Sequence, residues 1–345
     1  MSAPVNRREF LERTALGGAA LALTLPAAAA ASAAQQQPPG MFLSLAPWAT
    51  ARGVGWPDQA RLAAKVGFKG IDWAWGPVRE AGVDATRALL AELRIHPTIV
   101  NMPGPNVLTV DEAAFRESLK QLDEDTAFAA AIGCTRFQRT LGATTPGGRP
   151  KEEHWKIVTG RLAAVSEIMV KHKVHVSLEF LGPMVFRMAR AGGPGRRGAA
   201  PPAPNAPPPP PPAPPVPFVW SLAETLRLCE ASGPNIGITL DAWHWHHSEG
   251  SVADILATPR ERIVHVHVSD ARAMPPADVQ DNMRWLPGEG IMDLMGFFQA
   301  LRKIGWTGGV ACETIGARLD NIAPEEQARL GLESTTAVMK RAGVI

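Results

Sequence analysis

Residues 263–270 read IVHVHVSD, an apolar run in which valine alternates with histidine and which ends in polar residues. Side chains two apart along a strand share a face, so His265 and His267 point one way while Val266 and Val268 point the other. We expect both histidines to face the interior of a parallel barrel and both valines to pack on helices. His267 lies nearer the carboxyl end of the strand, and we interpret His265 as an interior histidine or a partner of His267.

Three other apolar runs also end in a potential metal ligand. SLEF supplies Glu179, IGITLD supplies Asp241 and GGVACE supplies Glu313. Because the carboxyl ends of barrel strands meet at one face, we expect these acids and His267 to lie close together. Asp241 could alternatively cap the helix that follows it. Three carboxylates and one imidazole suit a divalent ion, with Mn²⁺ expected first and Mg²⁺, Co²⁺ or Zn²⁺ as alternatives.

Strand-like and helix-like segments alternate along the chain. The predicted strands are Phe42–Ala46, Gly70–Ala74, His96–Asn101, Thr135–Thr140, Val174–Phe180, Ile236–Asp241, Ile263–Val268 and Gly309–Glu313. The predicted helices are Pro57–Val66, Asp84–Leu93, Asp111–Ile132, Glu152–His172, Ser221–Ala231, Ser251–Leu256, Asp293–Ile304 and Pro324–Met339. This alternation predicts an α/β fold, a (β/α)8 TIM barrel over residues 41–345. Gly67, Gly133 and Gly305 follow helical runs, as C-terminal caps do.

Composition limits the class of protein and of partner. The 345 residues are 46% hydrophobic and 20% charged, which suits one large soluble core. A net charge of +2 gives no broad positive field, so we expect no nucleic-acid partner. The three cysteines are an odd number at wide spacing, which predicts buried thiols. A homo-oligomer is possible.

The first residues have the pattern of an export signal. Arg7 and Arg8 precede an apolar stretch, Ala15 to Leu25, and an alanine-rich region up to Ala34. The stretch is shorter than the roughly 20 residues that span a bilayer, which argues against a stable membrane anchor. We therefore interpret residues 1–34 as a twin-arginine signal peptide and expect a periplasmic or secreted protein. The twin-arginine translocase would be a transient partner and would carry the chain across already folded.

One segment does not fit the strand and helix pattern. Residues 192–217 are dominated by proline, glycine and alanine, and proline removes the amide donors that helices and sheets need. We expect a disordered or polyproline insertion after the fifth strand. It is interpreted as a tolerated surface loop, with a lid over Glu179 as the alternative.

The same residues resemble a known family. Glu179, the DAWH run at 241–244, the HVSD run at 267–270, the LPGEGIMD run at 286–293 and Glu313 are similar in order and placement to the sugar isomerase/epimerase superfamily with a xylose isomerase-like barrel. The resemblance extends from about Met41 to the end of the chain, with the proline-rich interruption.

This resemblance implies specific roles. Glu179, Asp241, His267 and Glu313 would bind one divalent cation, and His244 with a basic residue after strand seven would contact the substrate. Arg272 is the nearest basic residue. Trp48 and Asn101, at or just after predicted strand ends, are further expected contacts, since aromatic faces stack on sugars.

The ligand set predicts proton transfer next to a carbonyl. Glu179 and Glu313 would remove and return the proton while the metal stabilises the enediolate, which is the chemistry of a sugar isomerase or epimerase. Export favours an unphosphorylated keto sugar. A lyase or hydratase acting on 3-keto-glycosides is the alternative within enzymes, and a non-catalytic metal-containing carbohydrate-binding protein is the alternative outside them. A multi-zinc nuclease is disfavoured, because it would need more inward histidines and a basic groove, and the sequence shows neither.

Overall fold

Eight parallel strands form a closed barrel in which each strand pairs with the next and the last pairs with the first. The computed structural model describes residues 37–104, 107–108, 111–188 and 214–345. The strands are β1 Met41–Leu45, β2 Gly70–Trp73, β3 His96–Asn101, β4 Arg136–Thr140, β5 His175–Glu179, β6 Ile236–Asp241, β7 Ile263–Val268 and β8 Gly308–Cys312. The predicted TIM barrel is confirmed, and the sequence places every strand end within one residue.

Twelve α-helices lie in the described part of the chain. They are α1 Pro47–Thr50, α2 Asp58–Val66, α3 Trp75–Ala81, α4 Val83–Leu93, α5 Glu112–Ala131, α6 Lys151–Met169, α7 Met184–Met188, α8 Leu222–Ser232, α9 Ala242–His247, α10 Val252–Ala257, α11 Leu294–Lys303 and α12 Pro324–Arg341. The four that the sequence did not predict, α1, α3, α7 and α9, are too short to show helical periodicity. His244 lies on α9, directly after β6.

Local signals explain where the longer helices begin and end. The side chain of Asp111 accepts a hydrogen bond from the Ala114 amide and starts α5. Ser251 and Asp254 form a capping box at α10. Gly67 ends α2 with a φ of 112°, a left-handed conformation that glycine adopts without strain.

The barrel is apolar outside and polar inside. Val266 and Val268 are fully buried, as expected for the side of β7 that packs on helices. Inside, the Ser44 hydroxyl donates to Asp72 Oδ1 at 2.7 Å and the Thr239 hydroxyl donates to Ser177 Oγ at 2.7 Å. Because these buried groups satisfy one another, the interior can hold charge beneath the mouth of the barrel.

Two predicted segments lie largely outside the described residues. These are residues 1–34, expected to be the export signal, and residues 192–213 of the expected insertion. The end of that insertion is paired, contrary to expectation: the Thr145 amide donates to the Val216 carbonyl and the Phe218 amide donates to the Ala143 carbonyl, both at 2.8 Å. A strand-like bridge is possible here because neither bond needs a proline amide.

Two other properties concern the described residues. No helix there is both long enough and apolar enough to cross a membrane. Cys134, Cys229 and Cys312 are buried free thiols, as predicted from their number and spacing.

An irregular segment between β7 and α11 returns to the mouth of the barrel. Asp270 and Trp285 exchange backbone hydrogen bonds at 2.8 and 2.9 Å, and Met283 forms an isolated bridge with Gly316. Gly316 has a φ of 107°, and a Cβ atom there would lie 1.6 Å from the Asn282 carbonyl oxygen. The segment therefore packs directly on a glycine that no other residue can replace without displacement.

Gly316→Ala is expected to lower the free energy of unfolding by about 1–3 kcal/mol, because the new methyl group both clashes and strains the backbone. Urea unfolding followed by circular dichroism measures this. Gly160→Ala is the matched control: it lies in α6 with open space at its Cβ position, and should raise stability by up to about 1 kcal/mol. Equal stability of the two variants would contradict the close packing.

Candidate metal centre

The structure brings the four predicted ligands together at the carboxyl ends of neighbouring strands. Glu179 ends β5, Asp241 ends β6, His267 lies near the end of β7 and Glu313 follows β8. One donor atom from each residue lies within 4.8 Å of all the others. None of the four side chains belongs to a residue more than 5% exposed.

Hydrogen bonds orient the two glutamates around His267. Its Nδ1 atom lies 2.9 Å from Glu179 Oε1 and 3.0 Å from Glu313 Oε2. The other oxygen of Glu179 accepts from Gln138 Nε2 at 3.1 Å and from the Thr140 hydroxyl at 3.0 Å. β4 therefore fixes the orientation of a carboxylate on β5, a contribution that was not predicted from the sequence.

Asp241 occupies both of the positions considered for it, in the acidic cluster and at the cap of a helix. Its Oδ1 atom accepts the Trp243 amide at 2.9 Å and caps α9, while Oδ2 lies 2.7 Å from Arg284 Nη1. The cap explains why a helix begins immediately after β6. Oδ1 therefore stabilises the start of α9, and Oδ2 lies in the acidic cluster.

Arg284 is the basic residue at the centre. Its Nη1 atom donates to Asp241 Oδ2 and, at 2.9 Å, to Glu313 Oε2, while Nη2 donates to Asp281 Oδ1 at 2.7 Å. Arg272 is exposed, and its guanidinium lies 3.8 Å from the centroid of the Trp285 ring. Arg284, and not Arg272, is therefore the arginine that the structure places in the cluster. Arg284 was missed because proximity in sequence to His267 favoured Arg272.

Burial and nearby charges shift the pKa values of Asp241 and Glu313 in opposite directions. Burial would raise the pKa of Asp241, but the charge of Arg284 holds it well below its usual range. Burial raises the pKa of Glu313 to about 8, despite the opposing effects of Arg284 and His267. Burial opposes the charged form of His267, yet Glu313 and hydrogen bonds to its other acidic neighbours raise its pKa. The cluster thus has more negative groups than its own cations neutralise.

The remaining predicted contacts surround this cluster. His244 is 1% exposed, with Nδ1 3.4 Å from the Gly182 amide nitrogen and Nε2 3.3 Å from Arg284 Nη2. Trp48 is 43% exposed, and its ring lies edge-on to His267 with centroids 5.8 Å apart. Trp48 and Asn101 line one hollow at the mouth of the barrel.

A sequence profile described as "Xylose isomerase-like TIM barrel" matches residues 60–338. The chain belongs to the xylose isomerase-like TIM barrel family. Among solved structures, a xylose isomerase domain protein from Alicyclobacillus acidocaldarius has a TM-score of 0.72 at 24% identity, covering 88% of this chain and 99% of that one. An IOLI protein with a bound zinc atom has a TM-score of 0.70 at 18% identity, with the same coverage. At these identities the likeness shows the fold.

Curated relatives of this xylose isomerase-like barrel are enzymes. The 2-oxo-tetronate isomerase of Haemophilus influenzae is 24% identical over 74% of this chain and 86% of its own length. The inosose isomerase of Bacillus licheniformis is 27% identical over 31% of this chain and 38% of its own, so the match spans well under half of that relative. The 3-dehydroshikimate dehydratase of Pseudomonas putida is 28% identical over 34% and 18%. Isomerases and a dehydratase thus both occur among them.

The donor set of this xylose isomerase-like barrel fits a divalent ion. Donor atoms within 4.8 Å of one another are compatible with bonds of about 2.0–2.3 Å to one cation between them. The unbalanced acids would supply the charge that attracts such an ion, and burial would exclude competing water. Glu179, Asp241, His267 and Glu313 would hold the ion.

A fourth buried carboxylate, that of Asp72, lies beneath this centre. Asp72 Oδ2 is 3.2 Å from His265 Nε2 and 3.9 Å from His267 Nε2, a fully buried nitrogen that has no hydrogen-bond partner. Burial would raise the pKa of Asp72, but the two histidines lower it to about 2, so it is anionic. When Nδ1 of His267 binds an ion, Nε2 must carry the proton, and Asp72 is the nearest acid to receive that N–H group.

Asp72→Asn is expected to weaken Mn²⁺ binding by about 10–100-fold, because the imidazole loses the carboxylate that orients it. Isothermal titration calorimetry on the metal-free protein measures the affinity. Asp125→Asn is the matched control, since Asp125 is also a buried acid but pairs with Arg79 away from the centre. Metal affinity within twofold of the wild type in Asp72→Asn would rule out this role.

Proposed function

We propose that this chain is a divalent-metal-dependent isomerase or epimerase that acts on an unphosphorylated keto sugar or a related carbohydrate. The observation that carries the proposal is the placement of two glutamates beside one imidazole nitrogen, at 2.9 and 3.0 Å. They come from β5 and from the end of β8, so they reach the centre from different parts of the barrel wall.

The chain's own residues suit proton transfer. A bound divalent ion would supply Lewis-acid polarisation of a substrate carbonyl. Glu179 and Glu313 would then remove a proton from the neighbouring carbon and return one to it. Hydrogen bonds from Gln138 and Thr140 keep the carboxylate of Glu179 in a fixed orientation, which such a transfer requires.

The surroundings favour an uncharged substrate. Arg284 is already paired with three carboxylates, so it has little capacity for a further anion. The Gly288 amide donates to Asp270 Oδ2 at 2.9 Å, so it is not free to bind a phosphate. Trp48 offers a partly exposed aromatic face at the mouth, which suits the C–H surface of a sugar.

A lyase is the second candidate because a dehydratase is among the relatives. Removal of a proton beside a carbonyl also starts an elimination, if the next carbon carries a leaving group. Oxidised glycosides such as 3-keto-glycosides are substrates of this kind. The two reactions use the same glutamates and differ in whether the carbanion is reprotonated or expels the substituent.

We also propose Mn²⁺ as the resident ion and export through the twin-arginine pathway. Carboxylate-rich ligation suits Mn²⁺, but Zn²⁺ and Cu²⁺ bind more tightly at most sites, following the Irving–Williams order. A chain exported already folded can receive its ion in the cytoplasm, away from that competition. Export of the folded chain is therefore consistent with Mn²⁺ as the resident ion.

Incubation of the Mn²⁺-loaded protein with keto sugars in deuterated water should incorporate deuterium at a carbon beside the carbonyl. Glu179→Gln and Glu313→Gln should each lower the exchange rate by at least about 100-fold, because each removes a proton-transfer group. NMR spectroscopy follows both exchange and products, and metal analysis confirms that the variants are loaded. Addition of 3-keto-glycosides tests elimination in the same assay.

Glu289→Gln is the matched control for this assay. Glu289 is also a glutamate near the mouth, but it pairs with Arg318 outside the cluster. It should exchange at the wild-type rate. If neither exchange nor elimination occurs with any of the keto sugars and 3-keto-glycosides, the enzyme proposal is wrong, and a carbohydrate-binding protein is favoured.

Replacing Arg7 and Arg8 together by lysine should retain the protein in the cytoplasm, because the twin-arginine signal depends on that pair. Immunoblots of periplasmic and cytoplasmic fractions measure the distribution. Arg13→Lys, an equal change outside the pair, should leave export intact. Periplasmic protein in the double variant would contradict the assigned route.

A further inference from the structure

A cavity of about 440 Å³ lies at the end of the barrel opposite to the metal centre. Its walls include the first residues of β4, β5 and β7, namely Arg136, His175 and Ile263, and the turn that precedes β8. The volume falls within the range of about 300–1,000 Å³ that is usual for small-molecule sites. The cavity shares no residue with the metal centre.

Positive charge dominates its lining. Arg136 and Arg260 line it together with one carboxylate, that of Glu261, while burial and the nearby arginines lower the pKa of His175 and favour its neutral imidazole. Arg262, next to the cavity, is occupied by the carbonyl oxygens of Gly233 and Ile236 at 2.8 and 2.6 Å. Within the described ranges, none of the three basic lining residues forms an ion pair.

Arg136 is the basic lining residue that is least accessible to water. Its side chain is partly buried, and that burial lowers its pKa. Among the described side chains its hydrogen-bond partner is the neutral amide of Gln37. A guanidinium removed from water without a counter-ion is unfavourable, since buried charges in proteins are normally paired.

The other side of the cavity is apolar and rigid. Trp306 is 4% exposed, and its Nε1 atom donates to the Ile263 carbonyl at 2.7 Å, which fixes the ring. Ile263 and Val264 continue this wall. The cavity therefore combines a cationic side with a fixed hydrophobic side, as an organic anion would require.

We propose that this cavity is a second binding site, for a small organic phosphate. Two guanidinium groups complement a dianion, because they can donate pairs of hydrogen bonds to phosphate oxygens, and the imidazole of His175 can add one further hydrogen bond. The organic part lies against Trp306 and Ile263. The site is distinct from the metal centre, whose own arginine is already paired.

Isothermal titration calorimetry of the metal-free, full-length protein tests this site with glucose 6-phosphate, inorganic phosphate and glucose. Glucose 6-phosphate should bind, inorganic phosphate should bind more weakly, and glucose should not bind. Arg136→Gln and Arg260→Gln should each weaken binding of glucose 6-phosphate by about tenfold or more, the usual loss for a charge-assisted hydrogen bond. Arg260 is exposed, so its variant keeps the test valid if Arg136→Gln folds poorly.

Arg61→Gln is the charge-matched control, because Arg61 pairs with Asp58 on the exposed surface of α2. It should bind glucose 6-phosphate within twofold of the wild type. Equal losses in Arg61→Gln and Arg260→Gln would show non-specific attraction and overturn the site. Equal affinity for inorganic phosphate and glucose 6-phosphate would overturn the assignment to an organic ligand.

Discussion

Repulsion among buried carboxylates is the constraint on which the rest of this structure depends. Asp72, Glu179, Asp241 and Glu313 are each at most 5% exposed and surround one imidazole ring. Interactions between charges strengthen as water is excluded, so these groups cannot all stay ionised without compensating cations. Burial raises the pKa of Glu313 to about 8, and the charges of Glu179 and Asp241 act in the same direction. A divalent ion would complete the balance.

The fold can be understood as the support for this charge arrangement. Closure of the barrel places β5 to β8 side by side, which gathers the ligands although they are far apart in sequence. The irregular segment before α11 then carries Arg284 back over the mouth, held by backbone pairing with Asp270 and by packing on Gly316. Apolar strand faces pack in the outer core, so the barrel interior can hold the polar and charged groups.

Much of this could be predicted from sequence because strand alternation and strand ends are local features. That was enough to find the eight strands and to select His267 from the alternating run. Arg284 was not predictable in the same way, since it lies in a segment with no periodicity and reaches the centre through tertiary pairing. Asp72 lies in a four-residue strand that is buried on both faces, so no alternation distinguished it. Helix α9 was too short to recognise, although its capping aspartate was noted.

The double use of Asp241 has a consequence for sequence variation. Asparagine could preserve the cap on α9 but would remove the negative charge, whereas glutamate would keep the charge but is a poorer N-cap because its longer side chain folds back less readily. Substitutions that are conservative for one duty are therefore not conservative for the other. A substitution at Asp241 would therefore change the helix cap and the charge of the cluster together, so the two properties cannot be adjusted separately at this position.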